Sequence, residues 1–136
     1  MSATTKLGPI RVLLVDDHAG IRQALRNMLS THSDIHVVGE AFDGEDACRS
    51  IEPLNPSVVV MDLSMPRLNG VHATRWIKKY YPHIVVVGLS VFADDEGMQT
   101  AMKVAGAVTL ISKVAAVERL HEEIIEAMQK RSSTFH

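Results

Sequence analysis

Five short runs of apolar, largely β-branched residues recur along the chain: Ile10 to Val15, Ile35 to Val38, Val58 to Met61, Ile84 to Leu89 and Val108 to Ile111. Each is continuous rather than alternating, as expected of strands buried on both faces of a parallel sheet. Helical stripes lie between and after them. Ile21, Leu25, Met28 and Leu29 share one face after the first run, and Ala47, Cys48 and Ile51 share one after the second, where Pro53 is expected to stop the helix. Ala73, Thr74 and Ile77 form a third stripe that ends before Pro82. Met98, Ala101, Met102 and Ala105 follow, with Gly106 as the stop, and Val117, Leu120, Ile124 and Met128 close the series. Strand and helix thus alternate five times. The fold class predicted is α/β, (βα)5: a parallel five-stranded sheet, doubly wound, with right-handed crossovers and helices on both faces.

Composition narrows the setting. A chain of 136 residues is one domain, large enough to bury about two-thirds of its unfolded surface. At 46% hydrophobic and 22% charged it is neither disordered nor collagen-like. Its apolar runs fall far short of the ~20 residues of a membrane span, so no membrane partner is expected. The opening MSATTKLGP lacks the apolar stretch of a secretory signal, and the single cysteine, Cys48, excludes an internal disulfide. A cytoplasmic setting is the default. With a net charge of -2, nothing favours direct nucleic-acid binding by this chain. Residues 1–9 read as a flexible tail, 10–130 as the domain, and 131–136 as a tail or the start of a linker.

Open α/β sheets place their ligands beyond the carboxyl ends of the strands. The first run ends in Asp16-Asp17-His18, the third in Asp62, the fourth in Ser90 and the fifth in Ser112-Lys113. Three carboxylates, a hydroxyl and an ammonium are therefore expected at one edge. Bare, the carboxylates would repel one another. A hard divalent cation with oxygen ligands, Mg²⁺, resolves this, and Lys113 offers a charge for a phosphate or a carboxylate. A carboxylate beside a cation can act as a nucleophile toward phosphorus. Taken singly, each residue has a plainer reading: Asp16-Asp17 as a helix cap, Asp62 as a loop residue, Ser90 as a turn hydroxyl, Lys113 as a solvated charge. Their coincidence at four strand ends points to a site for phosphorylating an aspartate.

The stretches IRVLLVDDH (Ile10 to His18), VVVMDLSMPRLNG (Val58 to Gly70) and VVVGLS (Val85 to Ser90), with the strand ending in Lys113, resemble the receiver domain of two-component response regulators. The likeness covers about residues 10 to 130. VVGEA (Val37 to Ala41) and GVHATRWIK (Gly70 to Lys78) are similar to the subfamily whose receivers precede a helix-turn-helix DNA-binding domain. The resemblance implies a flavodoxin-like, chemotaxis-receiver-like sheet of strand order 2-1-3-4-5. It implies Asp62 as phosphoacceptor and a histidine kinase as donor. It implies Asp17 and Asp62 as direct Mg²⁺ ligands, with Asp16 close by or reached through water, and the backbone carbonyl of Ser64 as a further ligand. Ser90 becomes the switch hydroxyl, and Lys113 the lysine that pairs with the phosphoryl group. The face of the fourth helix, fifth strand and fifth helix becomes the signalling surface, open to a homodimer. The resemblance implies either a stand-alone regulator or a receiver whose output, a DNA-binding domain, lies outside this chain, and the subfamily likeness favours the second.

Two positions depart from the family pattern. Val114 stands where a proline usually follows the lysine, often across a cis bond. Before a non-proline residue that bond costs ~2.5–4 kcal/mol, so a trans or strained loop is expected. Leu110 replaces the usual aromatic partner of the switch, with Thr109 before it where glycine is common. A degenerate, phosphorylation-independent scaffold is the alternative these two support. A phosphatase or phosphotransferase with an aspartate nucleophile is disfavoured, because Ser64 stands where a general-acid aspartate is needed. Elsewhere the expectations are structural: His32 and His36 are separated by a turn at Ser33-Asp34 and make no metal pair, Cys48 packs as a small hydrophobe, Met98 and Met102 are core, and Trp76 is at least partly exposed.

Overall fold

The computed structural model describes residues 8–63 and 70–133. Its elements alternate as β1 (Ile10–Val15), α1 (Ala19–Leu29), β2 (Ile35–Ala41), α2 (Gly44–Leu54), β3 (Val58–Asp62), α3 (Gly70–Tyr80), β4 (Val85–Ser90), α4 (Glu96–Ala105), β5 (Thr109–Ser112) and α5 (Lys113–Ser133). The five strands are all parallel, in the order β2-β1-β3-β4-β5. This is the doubly wound (βα)5 sheet, with β1 at the point where strand order reverses.

The continuous apolar runs are explained by two cores rather than one. Val12, Leu14, Val58, Val60, Val85 and Val87 point to the face covered by α1 and α5, where Leu25, Leu29, Leu120 and Ile124 meet them. Their neighbours Leu13, Val15, Val59, Met61 and Val86 point to the opposite face, against Ala47 and Ile51 of α2, Ala73 and Ile77 of α3 and Met102 of α4. Every residue of β3 and β4, and all of β1 but Arg11, is buried on one side or the other, so no polar alternation survives there, whereas β2 at the other edge exposes His36 and Glu40. Only β5, at the edge, is half-exposed throughout.

The strand registers bring the carboxyl ends level. Val15 pairs with Met61, Asp62 with Leu89, and Ser90 with Ser112. One irregularity interrupts the pairing of β1 with β2: Val12 faces Val37, but Leu13 faces Gly39, leaving Val38 as an extra residue.

Helix ends follow from local chemistry. The Asp43 side chain caps α2 by accepting from the Asp46 N–H at 2.7 Å, and Asp95 caps α4 by accepting from Met98 N–H at 3.0 Å. Gly106, at φ 110°, ends α4 in a left-handed turn that glycine adopts without strain. Three expectations are corrected. Pro53 does not stop α2 but lies inside its last turn. The helix ends at Asn55, whose φ of 48° makes the left-handed cap, while Arg11 donates to the carbonyls of Leu54 and Asn55. β2 continues past Val38 to Ala41, because Gly39, Glu40 and Ala41 keep pairing with β1. The stripe on α5 runs through Ala116, Leu120, Ile124 and Ala127, with Val117 45% exposed. Ala116 lies four residues before Leu120 and eight before Ile124, and it takes the inward position in place of Val117.

Thr74 is fully buried on α3, and among the described residues its hydroxyl has no hydrogen-bond partner. An orphaned buried hydroxyl costs ~1–3 kcal/mol. Thr74→Val keeps the shape and removes the polar atom. It is expected to raise unfolding stability by about 1 kcal/mol, read from the midpoint of urea denaturation.

Candidate functional site

Asp16 follows β1, Asp62 ends β3, and Lys113 opens α5 directly after β5. These three meet beneath the surface. Asp16 is 1% exposed, Asp62 0% and Lys113 7%. The Lys113 Nζ lies 3.0 Å from Asp16 Oδ2 and 3.0 Å from Asp62 Oδ2. Burial by itself would lower the ammonium's pKa, but the hydrogen bonds and charges of Asp62 and Asp16 outweigh it and hold Lys113 above its ordinary value. The lysine stays charged and bridges the two carboxylates.

Asp17 is exposed beside them. His18, which the motif reading left without a role, places its Nδ1 3.0 Å from Asp17 Oδ1 and 3.3 Å from Asp16 Oδ1. One ligand atom from each of Asp16, Asp17, His18 and Asp62 lies within 4.8 Å of the others. One ammonium against three carboxylates leaves the cluster acidic, and its oxygen-rich donor set suits a hard divalent cation. Asp16 and Asp17 are not helix caps. His18 occupies the cap position of α1 without a side-chain cap bond, and Asp16 Oδ1 accepts from the His18 N–H at 2.8 Å instead. Ser64 falls outside the described residues.

Ser90 is buried at the end of β4, but its hydroxyl serves its own loop. It accepts from the Phe92 N–H at 2.9 Å and donates toward Met98 Sδ at 3.5 Å. The lysine's aim depends on Ser112, whose role the sequence reading missed. The Ser112 hydroxyl accepts from the N–H of Val114 at 3.1 Å and of Ala115 at 3.4 Å, which starts α5 at Lys113. The described residues hold no cis peptide bond, so Lys113–Val114 is trans, and Val114 uses the N–H that a proline would lack. A serine two residues before a free N–H was the available signal. Leu110 is half-buried where the aromatic was expected. It shares with Met102 the space that a side chain at Gly88 would fill, since a Cβ there would lie 2.9 Å from each. A side chain at Gly70 would press on the Asp62 carbonyl, so the glycine that closes the VVVMDLSMPRLNG stretch lets α3 begin against the carboxylate's own backbone.

The sequence profile described as the response regulator receiver domain matches residues 12–125 of this chain. The chain belongs to the response regulator receiver family. The response regulator protein VraR of Staphylococcus saprophyticus is 38% identical over 124 residues, covering 91% of this chain and 59% of that protein. This receiver therefore spans about three-fifths of the length of the curated relatives it matches. The response regulator domain of Thermotoga maritima CheB superposes with a TM-score of 0.81 at 34% identity, over 90% of this chain and 98% of that one. A LuxR-family two-component response regulator from Aurantimonas sp. SI85-9A1 gives 0.84 at 27% identity, over 91% and 88%. Among the described residues of the receiver, no helix is long and apolar enough to cross a membrane.

Several side chains brace the receiver's acidic edge or stand apart from it. Glu40, on β2, pairs at 2.9 Å with Arg22 and at 2.7 Å with Arg26 of α1, and Arg22 also donates to the backbone carbonyl of Asp16. His36 is exposed and does not join His32, which stacks on His121 instead. Cys48 is half-buried. Burial, with Glu45 nearby, pushes its thiol up to about 11, so it stays protonated and packs as a small apolar group. Trp76 is 38% exposed, as its position on α3 implied.

Burial raises the Glu40 carboxyl's pKa, but hydrogen bonds and charge from Arg26 and Arg22 prevail and hold it below the usual 4.5. A lowered folded-state pKa contributes stability that is complete above 4.5 and is lost as pH falls through the folded value. Glu40→Gln should therefore lose stability near neutral pH and show a flatter acid limb. Urea midpoints measured from pH 7 downward check this.

Proposed function

We propose that Asp62 accepts a phosphoryl group from a histidine kinase, and that the resulting acyl phosphate switches an output domain outside this chain. The observation that carries this reading is the buried bridge: one lysine, Lys113, holding Asp16 and Asp62 at 3.0 Å each at the carboxyl edge of the sheet. Asp62 supplies the nucleophile. Its carboxylate oxygen attacks phosphorus in line with the scissile phosphorus–nitrogen bond of the donor imidazole, and the imidazole leaves. Lys113 would then exchange a carboxylate partner for a phosphoryl oxygen. Asp16, Asp17 and Asp62 would hold Mg²⁺, with the Ser64 carbonyl as a further ligand. When bound, that ion neutralises charge developing on the phosphoryl oxygens.

Ser90 is the hydroxyl assigned to the switch. To reach a phosphoryl group it must release the Phe92 N–H and the Met98 sulfur, which loosens the loop leading into α4. Leu110 and Met102, already seated over Gly88, can follow without turning a ring. The surface of α4, β5 and α5 carries exposed Val104, Val114 and Val117, and this supports its assignment as the signalling face and as a homodimer contact. The relatives' greater length, and the likeness of VVGEA and GVHATRWIK to receivers that precede helix-turn-helix domains, support a DNA-binding output acting in the cytoplasm. The chain itself is read as a signalling acceptor rather than an enzyme. The well-aimed Lys113 favours an acceptor over a scaffold indifferent to phosphate.

Incubation with a small acyl-phosphate donor and Mg²⁺, read on a phosphate-affinity gel, tests the acceptor. The wild type should shift, and Asp62→Asn should not. A shift that survives in Asp62→Asn would place the phosphate elsewhere. Lys113→Ala isolates the bridge. Removing one partner of a buried ion pair costs ~3–5 kcal/mol, so this variant should melt well below wild type without Mg²⁺. It should recover a larger part of its stability than wild type gains when Mg²⁺ is added, and thermal melts with and without the ion measure both effects.

A further inference from the structure

At the opposite end of the sheet from Asp62, the loop between α1 and β2 meets the middle of α5. His121 Nε2 lies 2.9 Å from Asp34 Oδ1 and 3.1 Å from Asp34 Oδ2, joining residues 87 apart in sequence. The His32 ring stacks on the His121 ring, with centroids 3.6 Å apart and planes within 7°. All three side chains are partly buried, and one ligand atom from each lies within 4.8 Å of the others. The backbone around them is fixed. The His32 N–H donates to the Leu29 carbonyl at 3.0 Å, the Ile35 N–H to the His32 carbonyl at 3.3 Å, and the Ile10 N–H of β1 to the Asp34 carbonyl at 2.8 Å. The groups converge from a braced loop and a long helix rather than from a mobile tail.

We propose that His32, Asp34 and His121 form a second metal site, selective for a borderline transition ion such as Zn²⁺ and separate from the acidic pocket. Two imidazole nitrogens and one carboxylate oxygen are a donor set that zinc takes with a fourth position left to water. The same set disfavours Mg²⁺, which prefers oxygen alone. An ion cannot lie in the planes of two rings held parallel, so loading turns one imidazole out of the stack. In the empty site, Asp34 holds His121 in place through the hydrogen bond that the ion replaces. The bound ion ties α5 to the entry of β2, on the side of the sheet where α1 and α5 pack together. Its consequence is mechanical: α5, one wall of the proposed signalling face, is clamped at its middle while its first residue, Lys113, responds at the other edge.

The sequence separates His32 from His121 by almost the whole domain, and the nearer pairing, His32 with His36, is absent. The test is a titration of the full chain with Zn²⁺ alone as probe, in excess Mg²⁺, followed by calorimetry and by the side-chain NMR signals of the histidines. One Zn²⁺ per chain is expected, with the His32 and His121 ring signals moving together. His32→Gln, on the loop, and His121→Ala should each weaken binding at least ~10-fold, the low end of what even a supporting group contributes to a metal site. Asp34→Asn should also weaken it. Circular dichroism melts establish that each variant is folded, and the His32→Gln result stands by itself if His121→Ala unfolds. No stoichiometric binding at micromolar Zn²⁺, unchanged affinity in His32→Gln, or movement confined to other histidines overturns the site.

Discussion

The receiver depends on seating two carboxylates in a place where water is largely excluded. Asp16 and Asp62 are drawn below the surface by strands that are apolar apart from Arg11 at the far end of β1. The solvation they lose must be replaced by something equally polar. One ammonium serves both, with the His18 N–H as a further donor to Asp16, which explains why the end of β5 and the first turn of α5 are so closely specified. The arrangement leaves the cluster short of positive charge. That shortfall gives the ion pair a donor set suited to a hard cation.

The way Lys113 is aimed shows that one geometry can be reached by two chemistries. The family pattern leads to a proline after the lysine. Here the turn is built by the Ser112 hydroxyl instead, capping the helix that the lysine begins. The same logic applies to the switch. Without an aromatic ring to rotate, the space beside β4 is regulated by glycine. Gly88 removes a side chain so that Leu110 and Met102 can lie against the strand, and the Ser90 hydroxyl is parked on Met98 and Phe92.

Much of this was written in the sequence because the determinants are short-range or periodic. Continuous β-branched runs reported strands buried on both sides. The residues that end those runs reported which groups would meet, since the C-terminal edge of a parallel sheet is a single place, and Asp16, Asp62 and Lys113 do meet there. What escaped was set by contacts without sequence periodicity. Pro53 sits in α2 because Asn55 and Arg11 finish the helix two residues later. The inward stripe of α5 keeps Leu120 and Ile124 but takes Ala116 rather than Val117 one turn before them, a choice between i−4 and i−3 that the pattern alone left open. His18 was unassigned because its importance lies in which way its ring turns. His121 has no local signal at all that it would meet a loop 87 residues away.

The extra residue in β2 has a consequence for how this fold tolerates change. Up to Val37, β2 and β1 are in step. After Val38 they are offset by one, so Glu40 sits opposite Leu14 and Ala41 opposite Val15. The offset inverts the facing of everything downstream. Without it, Glu40 would point into the core shared by Ala47 and Ile51, and Ala41 would face the arginines of α1. A single insertion thus acts as a phase shift that sorts an acid from an alanine. Because neighbouring residues on these strands serve opposite cores, a further one-residue insertion or deletion would exchange the two sides wholesale. Length variation in such a domain is therefore confined to its loops, and the bulge is the one place where the sheet itself has absorbed it.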